Sequence, residues 1–435
     1  MHNSGKTTCT TEAQNSRISR YASPMIPRAN ASKLQLLLSG RNAQSLNGTV
    51  IARSLPHKRK TVCSYTRPEA GPTILLAPLT HILQVSSNLA DSNHIMSDTT
   101  PISLTQLPEE SNRRQYTRAE LLDYFSRIQL PEQYYKDVFS DASLARTKKQ
   151  GLPLLEALCR HHTCNVPFEN LILHYSANKK VTLDVSELYT WFVTKRRGGR
   201  CMENNSFFAT VLRSLGYQVR NCGGRVSRAM SPYPEVRQNQ AATYDGLNHM
   251  LNLVRFDDDG WYVVDVGMGA MGPNLPYPLR DNYETTSIAP RKIRIQHRAI
   301  PESYASGSDA PKMWCYDVCY DPSRGADNKW IPTYCFTETE FLPQDYEVMS
   351  WFTSTHSNSF FTRNVTATKM IMEGEKIVGS VTLFKETIRE SVGAERKVVR
   401  ECKTEDERVD SLKEIFGIEL SKEEMDGITP KLRLA

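Results

Sequence analysis

No stretch of this sequence is apolar for long enough to cross a bilayer as a helix, which takes about 20 such residues. The most apolar early segment, residues 73–85, is broken by Pro78, Thr80 and His81. The ten cysteines include no C-x-x-C pair, and Cys315 and Cys319 have no matching pair of histidines. A metal site and a disulfide framework are therefore unexpected, and a reducing, cytoplasmic setting fits the composition. Neither G-x-G-x-x-G nor a P-loop is present, so any phosphate must be held by scattered basic side chains and loops. Acidic residues are scarce at the start: residues 1–95 hold eleven Lys or Arg against three acids, Glu12, Glu69 and Asp91. Those residues carry about +8, more than the whole net charge of +6, and the remainder is slightly acidic. The basic balance thus belongs to a leader, and no nucleic-acid or membrane partner is expected.

What remains is a chain of 435 residues, 39% hydrophobic and 23% charged, with room for two or three globular domains. Residues 1–114 are expected to form a disordered basic leader. A mitochondrial targeting segment is an alternative, although no basic amphipathic helix is visible. Met96-Ser97-Asp98 also resembles a natural start, which would make the residues before it a gene-model extension. Folded structure is expected from Thr117-Arg118-Ala119-Glu120, a capping-box pattern, with Leu121, Leu122, Phe125 and Ile128 on one helical face. Further helices are expected over residues 152–162 and 185–194, giving a mainly helical domain over 115–220. Short alternating runs then predict an antiparallel sheet or barrel over 221–330, with loops at 225–244 and 301–311. Residues 331–435 are expected to mix strands with a terminal helix from Ser411.

The most informative run is Arg197-Gly198-Gly199-Arg200-Cys201-Met202-Glu203-Asn204-Asn205. Phe207, Phe208, Val211, Leu212 and Leu215 follow at helical spacing, and Gly216 is a stop signal. Cys201 is thus expected in a first helical turn, where unpaired N–H groups and two arginines favour thiolate over thiol. The glycines are expected to turn the chain tightly and leave the sulfur uncovered. A nucleophilic thiol also needs a base, and the base an orienter. Residues 248–254 read as a strand, Asp257-Asp258-Asp259-Gly260 as a turn and residues 261–266 as the returning strand. A five-residue loop would set His249 directly opposite Asp265, and a tighter turn would offset them by a few residues. Either way imidazole and carboxylate lie on adjacent strands, where the carboxylate fixes the tautomer and stabilises the imidazolium.

In the order Pro167-Phe168-Glu169-Asn170-Leu171, Arg197-Gly198-Gly199-x-Cys201-x-Glu203-Asn204, His249-Met250-Leu251-x-Leu253-Val254 and Val264-Asp265-Val266-Gly267-x-Gly269, the sequence resembles the arylamine N-acetyltransferases. Weaker similarity extends the likeness over roughly residues 115–420. The R-G-G-x-C-x-E-N string alone would arise by chance about once in 10^5 chains of this length. The resemblance implies an α+β fold made of a helical bundle, an antiparallel β-barrel and an α/β lid around a cysteine-protease-like core. It implies a catalytic triad of Cys201, His249 and Asp265 that moves an acyl group from coenzyme A to an aromatic amine or hydrazine. Acetyl-CoA is the default co-substrate, with malonyl-CoA and propionyl-CoA open, and a monomer is expected.

The resemblance also places Phe168 as an aromatic wall beside the site and sets Asp245, Gly246, Asn248 and Ser359 where coenzyme A is contacted. Gly267 and Gly269 would let the pantetheine arm approach the backbone. Arg197 and Glu203 are expected to be structural. Met268 stands in the Gly-x-Gly loop where many relatives carry an aromatic, and the 225–244 segment lengthens the Cys-to-His separation. Both bear on substrate choice. The rival reading is a papain- or transglutaminase-like cysteine hydrolase with the same residue order, and a catalytically dead binding protein is the third.

Overall fold

The computed structural model describes residues 114–240, 243–320 and 329–435, so the expected leader lies, but for its last residue, outside the described part. The first helix, Arg118–Ile128, starts at the capping box foreseen: the Thr117 hydroxyl accepts from the Glu120 N–H, and the Glu120 carboxylate from that of Thr117. Its buried face differs from the expected one. Leu122 is turned outward and Tyr124 inward, because the Tyr124 hydroxyl reaches the buried His162 ring at 2.9 Å. The helices Glu132–Ser140 and Lys148–Asn165 follow, then the short Val185–Tyr189 helix continued by a π-helical turn to Thr194.

The nucleophile's helix, Cys201–Ser214, buries Phe207, Phe208, Val211 and Leu212 completely. Each such side chain contributes about 1.5–3 kcal/mol of hydrophobic stabilisation. They pack with Tyr124, Phe125, Leu154, Leu158 and Phe192, and the rings of Phe192 and Phe207 stack at 4.8 Å. Val254, Phe256, Val264 and Val266 enter the same core from the sheet. One apolar cluster therefore fixes the body of the Cys201 helix against the hairpin that carries His249 and Asp265.

That hairpin belongs to an eight-stranded antiparallel sheet, in the order Tyr277–Pro278, Gly260–Val264, His249–Phe256, Gln218–Val226, Ile331–Glu340, Lys312–Cys319, Lys292–Ala299 and Tyr283–Thr286. It curls as a nearly closed barrel around Leu251, Leu253, Val263, Ile293, Tyr316, Tyr334 and Phe336. The expected boundary at 330 is therefore corrected. Ile331–Glu340 is an inner strand of this sheet, paired on one side with Gln218–Val226 and on the other with Lys312–Cys319. The stretch expected as a loop over 225–244 also holds a helix, Pro234–Gln240.

A second, five-stranded sheet has the order Phe168–Glu169, Thr366–Glu373, Lys376–Phe384, Thr387–Val392 and Glu395–Glu401. Its first strand comes from the helical region, and Asn170 ties it in. The Asn170 amide donates to the carbonyls of Asn364 (2.6 Å) and Phe361 (2.9 Å) and accepts from the Thr366 N–H (2.9 Å). The terminal helix expected from Ser411 begins earlier, at Glu405, because the Thr404 hydroxyl caps it by accepting from the Glu407 N–H. Among the described residues no helix is long and apolar enough to cross a membrane.

Candidate active site

Cys201 is the first residue of its helix, and no side chain caps that helix start. Its first-turn N–H groups are thus placed to stabilise a developing oxyanion. The loop before it is held from three sides. Gly198 can only be glycine, since a Cβ there would collide with the Pro167 carbonyl oxygen. Arg197 pairs with Glu424 at 2.6 Å and with Glu169 at 3.5 Å, and Arg200 pairs with Glu203 at 3.1 Å. Arg197 and Glu203 thus pair with partners that hold this loop. From beneath, the Asn204 amide donates to the carbonyls of Gly199 (2.5 Å) and Arg200 (3.2 Å) while accepting from His162 Nε2 (3.0 Å). Burial lowers the His162 pKa to about 4, so this ring is neutral and passes a single chain of hydrogen bonds from Tyr124 to the loop.

The sulfur is not uncovered. Cys201 is 6% exposed, packed among Met202, Met250, Tyr346 and Met349, with its thiol 3.7 Å from the Asn248 carbonyl oxygen. The glycines fix the loop, and flexible apolar side chains close around the nucleophile.

His249 and Asp265 meet at 2.8 Å between Nε2 and Oδ2. They are not directly opposite. Phe256 pairs with Gly260 and Asn252 with Val264, a three-residue turn that offsets His249 and Asp265 by two positions. Diagonal neighbours on one face of a sheet remain within reach of long side chains. Asp265 Oδ1 accepts two further hydrogen bonds, from the Asn205 amide (2.9 Å) and the Gly267 N–H (2.8 Å). Tyr334 packs its ring 5.0 Å from the His249 ring. Burial pulls the His249 pKa down, but the Asp265 charge, its hydrogen bond and then a hydrogen bond with the Cys201 sulfur raise it from 6.5 to about 10. Nε2 is taken by Asp265, so Nδ1 is the nitrogen left for the sulfur. The ring keeps both protons at neutral pH. Because the folded value lies above the unfolded one, the contribution to stability is complete below about pH 6.5 and is lost as pH rises through about 10.

The other expected residues divide. Gly267 lies on the nucleophile: a Cβ there would stand 2.5 Å from Asn205 Nδ2 and 2.7 Å from Cys201 Cα. Gly269 faces the Phe168 ring, which lies 6.1 Å from that of Phe361. Asn248 orders the approach to His249 by accepting from the Val226 N–H. Asp245 pairs with Arg228 at 2.8 Å, Gly246 has open space at its Cβ position, and Ser359 caps Phe360–Arg363 and donates to the Thr353 carbonyl. Sequence reasoning missed Asn205 and His162. Asn204 and Asn205, at i+3 and i+4 from Cys201, are polar residues at the buried start of an otherwise apolar helix, and that spacing was the available signal.

A family model described as N-acetyltransferase matches residues 151–425. The N-malonyltransferase FDB2 of Gibberella moniliformis is 63% identical over 341 residues, 77% of this chain and 98% of that protein. The chain belongs to the arylamine N-acetyltransferase family. An arylamine N-acetyltransferase of Mycolicibacterium smegmatis is 30% identical over 221 residues, 50% of this chain and 70% of that one. The structure of the Mycobacterium marinum arylamine N-acetyltransferase in complex with CoA matches with a TM-score of 0.54 at 25% identity, over 72% of this chain and 97% of that one. The expected α+β architecture is the family's. Membership makes the protein an acyltransferase that draws on an acyl-CoA, and it sets aside the cysteine hydrolase reading.

Proposed function

We propose that this chain transfers a short acyl group, malonyl ahead of acetyl, from a CoA thioester to the nitrogen of an aromatic amine or hydrazine through an acyl-cysteine on Cys201. The observation that supports the reading is the buried His249–Asp265 pair at 2.8 Å together with a cysteine at the uncapped start of a helix. The family resemblance alone makes acetyl the default. A relative 63% identical and named an N-malonyltransferase moves malonyl ahead.

The chemistry follows from the protonation state. The Cys201 thiolate, paired with the His249 imidazolium, attacks the thioester carbonyl, and the first-turn N–H groups receive the oxyanion. The carbon–sulfur bond to CoA breaks, and His249 gives its Nδ1 proton to the departing thiolate. The amine, neutral at pH 7, then attacks the acyl-cysteine. His249 takes a proton from its nitrogen as the bond to Cys201 breaks, which restores the ion pair.

The two substrates thus use one sulfur in turn. Initial rates with malonyl-CoA and an aniline are expected to give parallel double-reciprocal lines. Intersecting lines would mean a ternary complex and would remove the acyl-cysteine from the mechanism.

Asp245, Gly246, Asn248 and Ser359 are proposed to face coenzyme A, and Phe168, Gly267 and Gly269 the acyl group and amine. Gly246 offers a clean check, because a Cβ there meets nothing within 4 Å. Gly246→Ala should leave thermal stability unchanged, raise KM for the acyl-CoA about tenfold and leave KM for the amine alone. An unchanged donor KM would place coenzyme A elsewhere.

A further inference from the structure

Resting on the malonyl reading above, the geometry points to Arg200 as the residue that binds the malonyl carboxylate. A malonyl group differs from an acetyl group by one anionic carboxylate, one carbon beyond the thioester methylene. An enzyme that favours it must place a cation close to the nucleophile. Arg200 directly precedes Cys201 in the chain, and its side chain is 2% exposed.

The partners of this guanidinium are unusual for a buried arginine. Nε is paired with Glu203 at 3.1 Å, but the terminal fork rests on neutral hydroxyls, Nη1 on Thr353 Oγ1 at 3.2 Å and Nη2 on Ser350 Oγ at 3.3 Å. These contacts are long beside the 2.7–2.9 Å typical of an arginine on a carboxylate. The contrast with two other buried arginines is direct: Arg408 Nη2 meets Glu405 at 2.5 Å, and Arg197 Nη1 meets Glu424 at 2.6 Å. The two-pronged end that best fits a carboxylate is thus held in Arg200 by neutral hydroxyls, with Glu203 paired at Nε alone.

Its surroundings border those of the nucleophile. The guanidinium lies 5.4 Å from the centre of the Phe361 ring, which neighbours Phe168, and Phe168 in turn faces Gly269. Ser350 follows Met349, which packs with Cys201 and Met250. The Thr353 hydroxyl can be released at low cost. Thr353 Oγ1 already bonds the helix carbonyls of Met349 (3.1 Å) and Ser350 (3.2 Å). A malonyl group on Cys201 would replace the two hydroxyls with two charge-assisted hydrogen bonds, while Glu203 keeps the guanidinium in place.

The test compares malonyl-CoA with acetyl-CoA on the same amine, in wild type, Arg200→Gln and Arg200→Lys. Acetyl transfer serves as the internal reference for folding and for the triad. In Arg200→Gln, loss of the Glu203 pair is expected to slow transfer from both donors, and the ratio of kcat/KM for malonyl-CoA to that for acetyl-CoA is expected to fall about 30-fold. Arg200→Lys, which keeps the charge and loses the fork, should fall between. If Arg200→Gln does not fold, a selective loss of malonyl transfer in Arg200→Lys supports the proposal in its place. An equal loss with both donors in the folded variants would overturn it and leave the malonyl reading standing. A wild type that uses acetyl-CoA and refuses malonyl-CoA would overturn both.

Discussion

Asp265→Asn lowers the rate of acyl transfer about 10^4-fold while leaving the fold intact. The size follows from what surrounds the carboxylate. Oδ1 accepts from two donors, the Asn205 amide and the Gly267 N–H, so the new amide must put its oxygen there. Its NH2 group is then forced toward His249 Nε2. That nitrogen has to accept, and the ring proton moves to Nδ1, the side facing the sulfur. A neutral ring protonated at Nδ1 cannot take a proton from the thiol. The substitution also removes the two largest influences that raise the His249 pKa, and burial then dominates and pushes the ring toward its neutral form. A carboxylate-to-amide exchange in a serine-protease triad costs a factor of this order for the same reason of tautomer. Stopped-flow measurement of CoA release checks the rate, and NMR of histidine-labelled protein checks the ring. Its midpoint should move from near pH 10 to below that of free histidine. A loss of only a few-fold would show that Asp265 is not the orienting group.

Gly267→Ala is the second large effect, and it acts through space rather than charge. The added methyl would stand 2.5 Å from Asn205 Nδ2, 2.7 Å from Cys201 Cα and 2.9 Å from the Cys201 carbonyl oxygen. Two of those three atoms belong to the backbone of the nucleophile, so relief must move Cys201 or the loop after Asp265. Overpacking of this kind costs about 1–3 kcal/mol of stability. A displacement of about 1 Å at the reacting sulfur costs about 10^2-fold in rate. Thermal unfolding should therefore show a drop of a few degrees, and kcat/KM a drop of about two orders of magnitude. Full activity would mean that the 265–269 loop stands farther from the helix than described.

The identities of the three triad residues were legible because each sits in a local pattern: a glycine-rich loop entering a helix, and two strands around an acidic turn. The spacing between His249 and Asp265 was not, since it depends on whether Phe256 pairs with Gly260, which the turn residues alone do not decide. Asn205 escaped notice because its importance lies in what it meets 60 residues later. Ile331–Glu340 was misassigned for a similar reason. Pro332 reads as a strand breaker, yet it lies opposite Asp317 where the register shifts, a position that tolerates a missing N–H. Its partner strand at Gln218–Val226 is more than a hundred residues away. Cys201 itself was placed correctly on its helix and wrongly in its exposure. Local sequence sets backbone direction, whereas Tyr346 and Met349, which help cover it, come from a distant helix.

The central claim is that an acyl group rests on Cys201 between the two half-reactions. Incubating the protein with malonyl-CoA in the absence of amine, followed by intact mass measurement and peptide mapping, addresses it directly. One malonyl group is expected per chain, held as a thioester on the peptide containing Cys201, lost on addition of an aromatic amine and absent in Cys201→Ser and His249→Ala. A protein that turns over malonyl-CoA and amine yet never carries the acyl group, or carries it on another residue, would contradict the account.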